Sequence, residues 1–199
     1  MNKKISLLSI MLILLCVNTI QAQNFDIDIL KQINPRYPTN QTWKTFSSTA
    51  EPLAMSVPIG MIAVALITEN KKLELSSYEV AASLALTVVA TGGLKTFIKR
   101  PRPYETYPNL IHPDEPDYGN SFPSAHTSMA FSTAASVFLN CKKWYVGVPL
   151  FAWATGVAYS RMYLGQHYPT DVIAGAVVGA GSAWVCHWAN KKFFGKKKK

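Results

Sequence analysis

Five uncharged runs limit what this chain can fold into more than any other feature. They contain no Asp, Glu, Lys or Arg and cover residues 52–68, 80–94, 125–141, 144–160 and 172–190. Each has 15 to 19 residues, the lower limit for a transmembrane helix. Period-two alternation is absent, so helices are favoured over strands. The mean hydropathy of +0.09 suits a small membrane protein or a soluble helical protein with a large core. We predict an all-α bundle of about five transmembrane helices.

The first 22 residues have the features of a secretory leader. Lys3 and Lys4 precede an apolar stretch, residues 5–17, and a small-residue cleavage site ends near Ala22. We predict a signal peptide over residues 1–22. The alternative is an uncleaved membrane anchor, which would be short for spanning a bilayer. The rest of the chain then forms one helical domain, residues 23–190, and a basic cytoplasmic tail, residues 191–199.

Basic residues are unevenly distributed in a chain whose net charge is +9. If the segment after the leader lies outside the cytoplasm, every Lys-Lys pair falls on the cytoplasmic side, as the positive-inside rule requires. The tail suits an anionic lipid surface, and nucleic-acid binding is disfavoured because no basic groove motif appears elsewhere. Five of the basic residues that fall outside cluster at the polar motifs and call for a functional explanation: Lys95, Lys99, Arg100, Arg102 and Arg161.

Three polar clusters share this outer side, and their residue types favour phosphoryl chemistry. Two arginines and a lysine, Arg102, Arg161 and Lys95, can neutralise phosphate oxygens, the arginines in bidentate fashion. Ser124 opens a predicted helix, whose first N–H groups and dipole also favour an anion. Two interpretations fit the polar residues of the intervening loop, contact with substrate and a solvated loop, and the solvated loop is favoured: His112, Asp114, Glu115 and Asp117.

A histidine pair supplies the reacting groups. His167 and Asp171 are four residues apart, and Pro169 between them predicts the first position of a helix. Asp171 can then hold one ring nitrogen of His167, which leaves the other nitrogen free to attack. His126 opens a different helix and is free to give a proton to a leaving oxygen.

In order and spacing these residues resemble the type 2 phosphatidic acid phosphatase family. That family shares its site with vanadium haloperoxidases and bacterial class A acid phosphatases, and its pattern is K-x6-RP, PSGH and SR-x5-H-x3-D. The chain has Lys95 with Arg102-Pro103, then Pro123-Ser124-Ala125-His126, then Ser160-Arg161 with His167 and Asp171. Each residue taken alone is more simply explained by a structural role, whereas the joint pattern is specific. Ala125 stands where the family has glycine, and we expect a modest effect on fit.

The resemblance implies a metal-independent, cofactor-free phosphatase with a phosphohistidine intermediate. It makes His167 the nucleophile, Asp171 the group that orients it, and His126 the acid and then the base. It assigns phosphate binding to Lys95, Arg102, Ser124, the backbone of Ala125, and Arg161. Zinc is disfavoured on physical grounds too, because the nearby arginines would repel a cation.

Several functions fit this site, and they differ in substrate and location. The leading hypothesis is a membrane lipid phosphatase of a bacterial inner membrane with its site facing the periplasm. Its candidate substrates are lipid A phosphate, undecaprenyl diphosphate, phosphatidylglycerophosphate and phosphatidic acid, with lipid A favoured. The alternatives are a soluble periplasmic acid phosphatase of broad specificity and a non-enzymatic protein that binds or transports phospholipid head groups. A haloperoxidase is disfavoured because it would need a longer chain.

Overall fold

The structure, a computed structural model, describes residues 25–194 and is helical without strands over that range. The predicted all-α bundle is therefore confirmed. The predicted signal peptide, residues 1–22, lies outside the described residues, as does the end of the basic tail, residues 195–199. The helices are α1 (residues 25–33), α2 (Gln41–Ile67), α3 (Lys71–Ile98), α4 (Pro103–Thr106), α5 (Ala125–Cys141), α6 (Trp144–Tyr163) and α7 (Pro169–Phe194).

The helices extend beyond the apolar runs because polar residues cap them. The side chain of Asn40 accepts a hydrogen bond from Thr42 N (2.9 Å), and that of Asn70 accepts one from Leu73 N (3.1 Å). Helix α2 therefore begins at Gln41 rather than at the first residue of the apolar run, position 52. Lys99 and Lys142 end α3 and α5 in the left-handed conformation, with φ of +50° and +52°. Hydropathy thus identified the middles of the helices, and capping determines their ends.

Three helices, α2, α3 and α7, are long and apolar enough to cross a membrane. Their exposed side chains include large apolar groups such as Ile59, Val89 and Val177, which are 66%, 72% and 67% exposed. A soluble protein rarely leaves so much apolar surface in water, so these faces suit lipid. The chain is accordingly a membrane protein.

Helix α5 lies at the centre and packs against α2, α3, α6 and α7. It is only 17 residues long and buries serines and threonines, including Ser128, Ser132 and Thr133. A helix surrounded by other helices contacts little lipid, so it tolerates small polar residues that lower its hydropathy.

Two glycines let α7 approach α5 closely. A Cβ atom at Gly175 would lie 2.7 Å from the carbonyl oxygen of Ser124, and one at Gly179 would lie 2.1 Å from that of Ser128. Both distances are far below van der Waals contact, so only glycine fits at these two positions. The four-residue spacing places both on one face of α7, the small-residue arrangement that brings membrane helices together. This approach sets the beginning of α5 beside the beginning of α7.

Candidate active site

The eight site residues predicted from the sequence all lie at one end of the bundle. Because the long helices alternate in direction along the chain, the last turns of α3 and α6 meet the first turns of α5 and α7 there. The loops that follow α3 and α6 lie at the same end. These elements carry Lys95, Arg102, Ser124, Ala125, His126, Arg161, His167 and Asp171.

His167 lies just before α7, and Asp171 lies in the first turn of that helix. Both are almost fully buried, and 3.6 Å separates His167 Nδ1 from Asp171 Oδ2. That distance is long for a direct hydrogen bond. The hydroxyl of Ser121 bridges the gap, since it donates to Asp171 Oδ2 at 2.5 Å and lies 3.4 Å from His167 Nδ1. The motifs give Ser121 no role, and only its place just before the PSAH segment could have indicated one.

His167 carries no charge at neutral pH. Burial lowers the pKa of its imidazole to about 4, against the opposing effect of Asp171. A neutral ring whose Nδ1 faces Ser121 and Asp171 has its Nε2 available as a nucleophile.

Arg100 holds the other oxygen of Asp171. Its Nη1 donates to Asp171 Oδ1 and its Nη2 to Asp26 Oδ2, both at 2.7 Å. The guanidinium also lies over the ring of Tyr168, 3.8 Å from the ring centroid. Asp26 in turn accepts hydrogen bonds from both the amide and the hydroxyl of Thr170, at 3.0 and 2.5 Å. Helix α1 is thereby tied to the start of α7 by charged groups.

Sequence reasoning missed Arg100 and Asp26 as site residues. Arg100 carried one signal, since it is among the outer basic residues that the positive-inside rule leaves unexplained. Asp26 carried none, because it lies 144 residues from Thr170 along the chain. Asp26 contacts Arg100 and Thr170 only because α1 packs beside the loop after α3 and the start of α7.

Arg102 is buried, and each of its three side-chain nitrogen atoms donates a hydrogen bond. Its Nε donates to the carbonyl of Gly119 at 3.0 Å, and its Nη1 donates to the carbonyl of Gln166 at 3.2 Å. Its Nη2 donates to Asp117 Oδ2 at 2.9 Å. The whole Arg102 residue is only 3% exposed. Its guanidinium is thus oriented by two loops.

Arg161 is the second buried guanidinium, and it binds the same carboxylate. Its Nη2 lies 3.3 Å from Asp117 Oδ2, and its Nη1 donates to Ser47 Oγ at 2.7 Å. Its Nε is buried and has no hydrogen-bond partner among residues 25–194. The two buried arginines share one carboxylate oxygen, and the position between them is here called the anion seat.

The interpretation of Asp117 as a solvated loop residue is wrong. Its carboxylate bridges Arg102 and Arg161, and its side chain is only 44% exposed. Burial opposes its ionisation, but the two arginines outweigh burial and hold the pKa of the carboxyl below its ordinary value. No sequence signal distinguishes it from the neighbouring acids, because the contact depends on how the loop folds back.

Lys95, His126 and Ser124 surround the same region. Lys95 Nζ donates to the carbonyl of Asn120. His126 lines a cleft of about 480 Å³ that also includes Arg161, and its Nε2 lies 3.8 Å from Glu51 Oε1. His126 and His167 both lie within electrostatic range of Arg102 and Arg161.

Ser124 caps α5 and is fully buried. Its hydroxyl accepts from Thr127 N (3.4 Å) and Thr127 Oγ1 (3.0 Å), and its own proton remains to be donated. Its amide donates to the carbonyl of Asp171 at 3.0 Å. An anion at this helix end would therefore meet the next N–H groups of the first turn, beginning with Ala125. Within residues 25–194 no group of three or more His, Cys, Asp or Glu side chains is arranged to hold a metal ion.

A family model described as the PAP2 superfamily matches residues 78–194, more than half of the chain. The chain belongs to the PAP2 superfamily. The match includes all eight predicted site residues and confirms the family that the motifs indicated. Residues 25–77 lie outside it, so the PAP2 pattern does not include Asp26 or Ser47, which bind Arg100 and Arg161.

The chain is similar to two curated bacterial proteins and to a solved structure. The lipid A 4'-phosphatase of Bacteroides thetaiotaomicron is 37% identical over 76 residues, which are 37% of this chain and 33% of that protein. The bacitracin transport permease protein BcrC of Bacillus licheniformis is 33% identical over 149 residues, 72% of this chain and 69% of that protein. The crystal structure of Aquifex aeolicus LpxE superposes with a TM-score of 0.64 at 25% identity, covering 81% of this chain and 94% of that one.

Proposed function

We propose that this protein hydrolyses a phosphate group from a membrane lipid through a phosphohistidine intermediate. The observation that carries the proposal is the buried, neutral His167 beside two buried arginines that share one anion seat. The exposed apolar faces of α2, α3 and α7 support a substrate that arrives through the bilayer. The similarity to a lipid A 4'-phosphatase points in the same direction.

In this proposal the first step transfers the phosphoryl group to His167. Its Nε2 attacks phosphorus, the bond to the lipid oxygen breaks, and that oxygen leaves with the electron pair and takes a proton from His126. Ser121 and Asp171 hold the Nδ1 side of the ring, and the positive charge that develops on it is stabilised by Asp171. Arg100 fixes Asp171 from the far side.

The second step releases inorganic phosphate. His126, now a base, takes a proton from water, the water oxygen attacks phosphorus, and the phosphorus–nitrogen bond breaks. Lys95, Arg102 and Arg161 hold the three non-bridging oxygens through both steps, with help from Ser124 and the N–H group of Ala125. These cations supply the charge stabilisation, so no metal or cofactor enters the proposed reaction.

We propose lipid A phosphate as the first substrate to test, with undecaprenyl diphosphate second. The first experiment is a phosphate-release panel with purified protein in detergent, using lipid A, undecaprenyl diphosphate, phosphatidylglycerophosphate and a soluble aryl phosphate. His167→Ala is expected to abolish release. Activity in that variant, or no release from any lipid by the wild type, would refute the proposal and favour a head-group binding protein. Equal activity on the soluble ester would favour the acid-phosphatase alternative.

We further propose that the site faces the periplasm of a bacterial inner membrane, because the lysine pairs of the described part of the chain, at positions 71–72, 142–143 and 191–192, lie at the opposite end of the bundle. Single cysteines introduced at Tyr118 and at Lys72 would test this after Cys16, Cys141 and Cys186 are changed to serine. A membrane-impermeant maleimide added to intact spheroplasts is expected to label position 118 and not position 72. The reverse pattern would contradict the orientation.

A further inference from the structure

The carboxylate of Asp117 occupies the position that a substrate phosphate would need. It lies 2.9 Å from Arg102 Nη2 and 3.3 Å from Arg161 Nη2. The two arginine side chains are 4% and 8% exposed, whereas that of Asp117 is 44% exposed. The two arginines of the seat are therefore buried, whereas the carboxylate between them is reached from outside.

Arg102 cannot accept a phosphate while all its present partners stay. Its Nε donates to the carbonyl of Gly119 and its Nη1 to the carbonyl and the side-chain oxygen of Gln166. Its Nη2 donates to the carboxylate of Asp117 and to the carbonyl of Tyr118. Among these acceptors only Asp117 is an anionic side chain. An incoming phosphate oxygen can replace it with the same hydrogen-bond geometry and no loss of charge compensation.

Two side chains hold the short segment that carries Asp117. Besides the carboxylate, Arg102 binds the next two carbonyls, that of Tyr118 at 3.3 Å and that of Gly119 at 3.0 Å. The hydroxyl of Tyr104 donates to the carbonyl of Asp117 at 2.6 Å and accepts from its amide at 3.1 Å. The next residue, Tyr118, is 95% exposed, and Gly119 follows with a φ of +89°, a conformation that glycine adopts without strain. Withdrawing Asp117 therefore requires the movement of a short surface segment and leaves the helices in place.

We propose that Asp117 is an internal competitor of the substrate phosphate and a charge filter for the site. This rests on the phosphatase function proposed above. A phosphate monoester or terminal diphosphate carries about −1.5 to −2 charges at pH 7 and displaces the singly charged carboxylate with a net electrostatic gain. A phosphodiester head group carries one charge and gains nothing by the exchange. The filter would keep the bulk diester lipids of the membrane out of a site that their concentration would otherwise saturate.

The test compares wild type, Asp117→Asn and the matched control Asp114→Asn. Asp114 is an acid of the same loop whose carboxylate pairs with Lys44 at 2.5 Å and not with the two arginines. Inorganic phosphate is titrated by calorimetry, and phosphatidylglycerol is added to mixed micelles as a competitor of turnover. In Asp117→Asn we expect phosphate to bind roughly three- to tenfold more tightly, and phosphatidylglycerol to become an inhibitor. Asp114→Asn should change phosphate binding by less than about twofold.

Unchanged or weaker phosphate binding in Asp117→Asn would overturn the inference, because the carboxylate would then serve only to orient the arginines. Calorimetry needs no turnover, so this failure is separate from a failure of the phosphatase proposal, which is judged by the lipid panel and His167→Ala.

Hydrogen exchange of the wild-type protein gives a readout that depends on no variant. Saturating phosphate should accelerate exchange of the Asp117 amide, because its bond to Tyr104 breaks when the segment withdraws. Slower or unchanged exchange would count against displacement of the carboxylate.

Discussion

Replacing Gly179 by alanine tests whether the close approach of α5 and α7 sets the geometry of the active site. The new Cβ atom would lie 2.1 Å from the carbonyl oxygen of Ser128 and 2.8 Å from the amide nitrogen of Ser132. Both are backbone atoms of α5, so no side-chain rotation relieves the overlap. The two helices must separate by about 1 Å at this level to restore ordinary contact distances.

This separation has a cost in stability and a larger cost in activity. Forcing a methyl group into a packed interface typically costs about 1–3 kcal/mol, and a backbone obstacle places Gly179→Ala at the upper end of that range. The beginning of α5 carries Ser124 and His126, and the beginning of α7 carries Asp171. A misplacement of about 1 Å between catalytic groups reduces kcat/KM by about 100-fold.

Gly181 provides the matched control on the same helix. A Cβ atom there would have no heavy atom within 4 Å, so Gly181→Ala adds a methyl group without a clash. It should raise stability by about 0.5–1 kcal/mol, because alanine favours helix more than glycine does. Thermal unfolding in detergent and phosphate release would be measured for both variants. Wild-type stability and activity in Gly179→Ala would refute the proposed tight packing of α5 against α7.

Three further predictions concern charged groups. The acid limb of kcat/KM should lie near pH 4, where burial places the pKa of His167, and not near its unfolded value of about 6.5. Because the folded pKa is the lower one, stability should also fall as pH drops from about 6.5 through 4, and a limb at 6.5 would contradict this assignment. Arg100→Lys should lower kcat about 10- to 100-fold and change KM by less than about twofold, because Arg100 acts through Asp171. A rise in KM alone would instead indicate that Arg100 contacts the substrate. Glu79→Gln should destabilise the fold by about 1–3 kcal/mol, because Glu79 contacts His187 at 2.7 Å. Since this pair lies at the other end of the bundle, kcat/KM of the folded protein should not change. A selective loss of kcat/KM would contradict this.

The sequence predicted the helices and the motif residues because both depend on local signals. Uncharged runs mark segments that pass through an apolar environment, whatever their partners. Pro169 and Ser124 mark helix beginnings, and the motif spacings follow from which residues a helix end can present. Antiparallel packing then brings the predicted residues to one end of the bundle.

The network behind those residues could not be predicted, because it is made by segments that meet only in the folded protein. Ser121 reaches Asp171 across 50 residues of chain, and Arg100 reaches Asp26 across 74. A single serine or aspartate in a polar segment has no periodicity or spacing that distinguishes it from a solvated neighbour. Three-dimensional contact alone identifies these supporting groups.

The charges of the site divide into a fixed set and an exchangeable set. Arg100 stays between two fully buried carboxylates, Asp26 and Asp171, and together these groups hold the side of the nucleophile away from the substrate. The second set contains one half-exposed carboxylate, Asp117, and three cations. These are the two arginines that bind it, Arg102 and Arg161, and Lys95, which lies within electrostatic range of all three. If the proposed exchange occurs, withdrawing that carboxylate leaves three positive groups for an anion of nearly two charges. A phosphate monoester neutralises these positive charges more completely than a singly charged head group does. Substrate selection would then depend on charge, before any contact with the lipid chains is made.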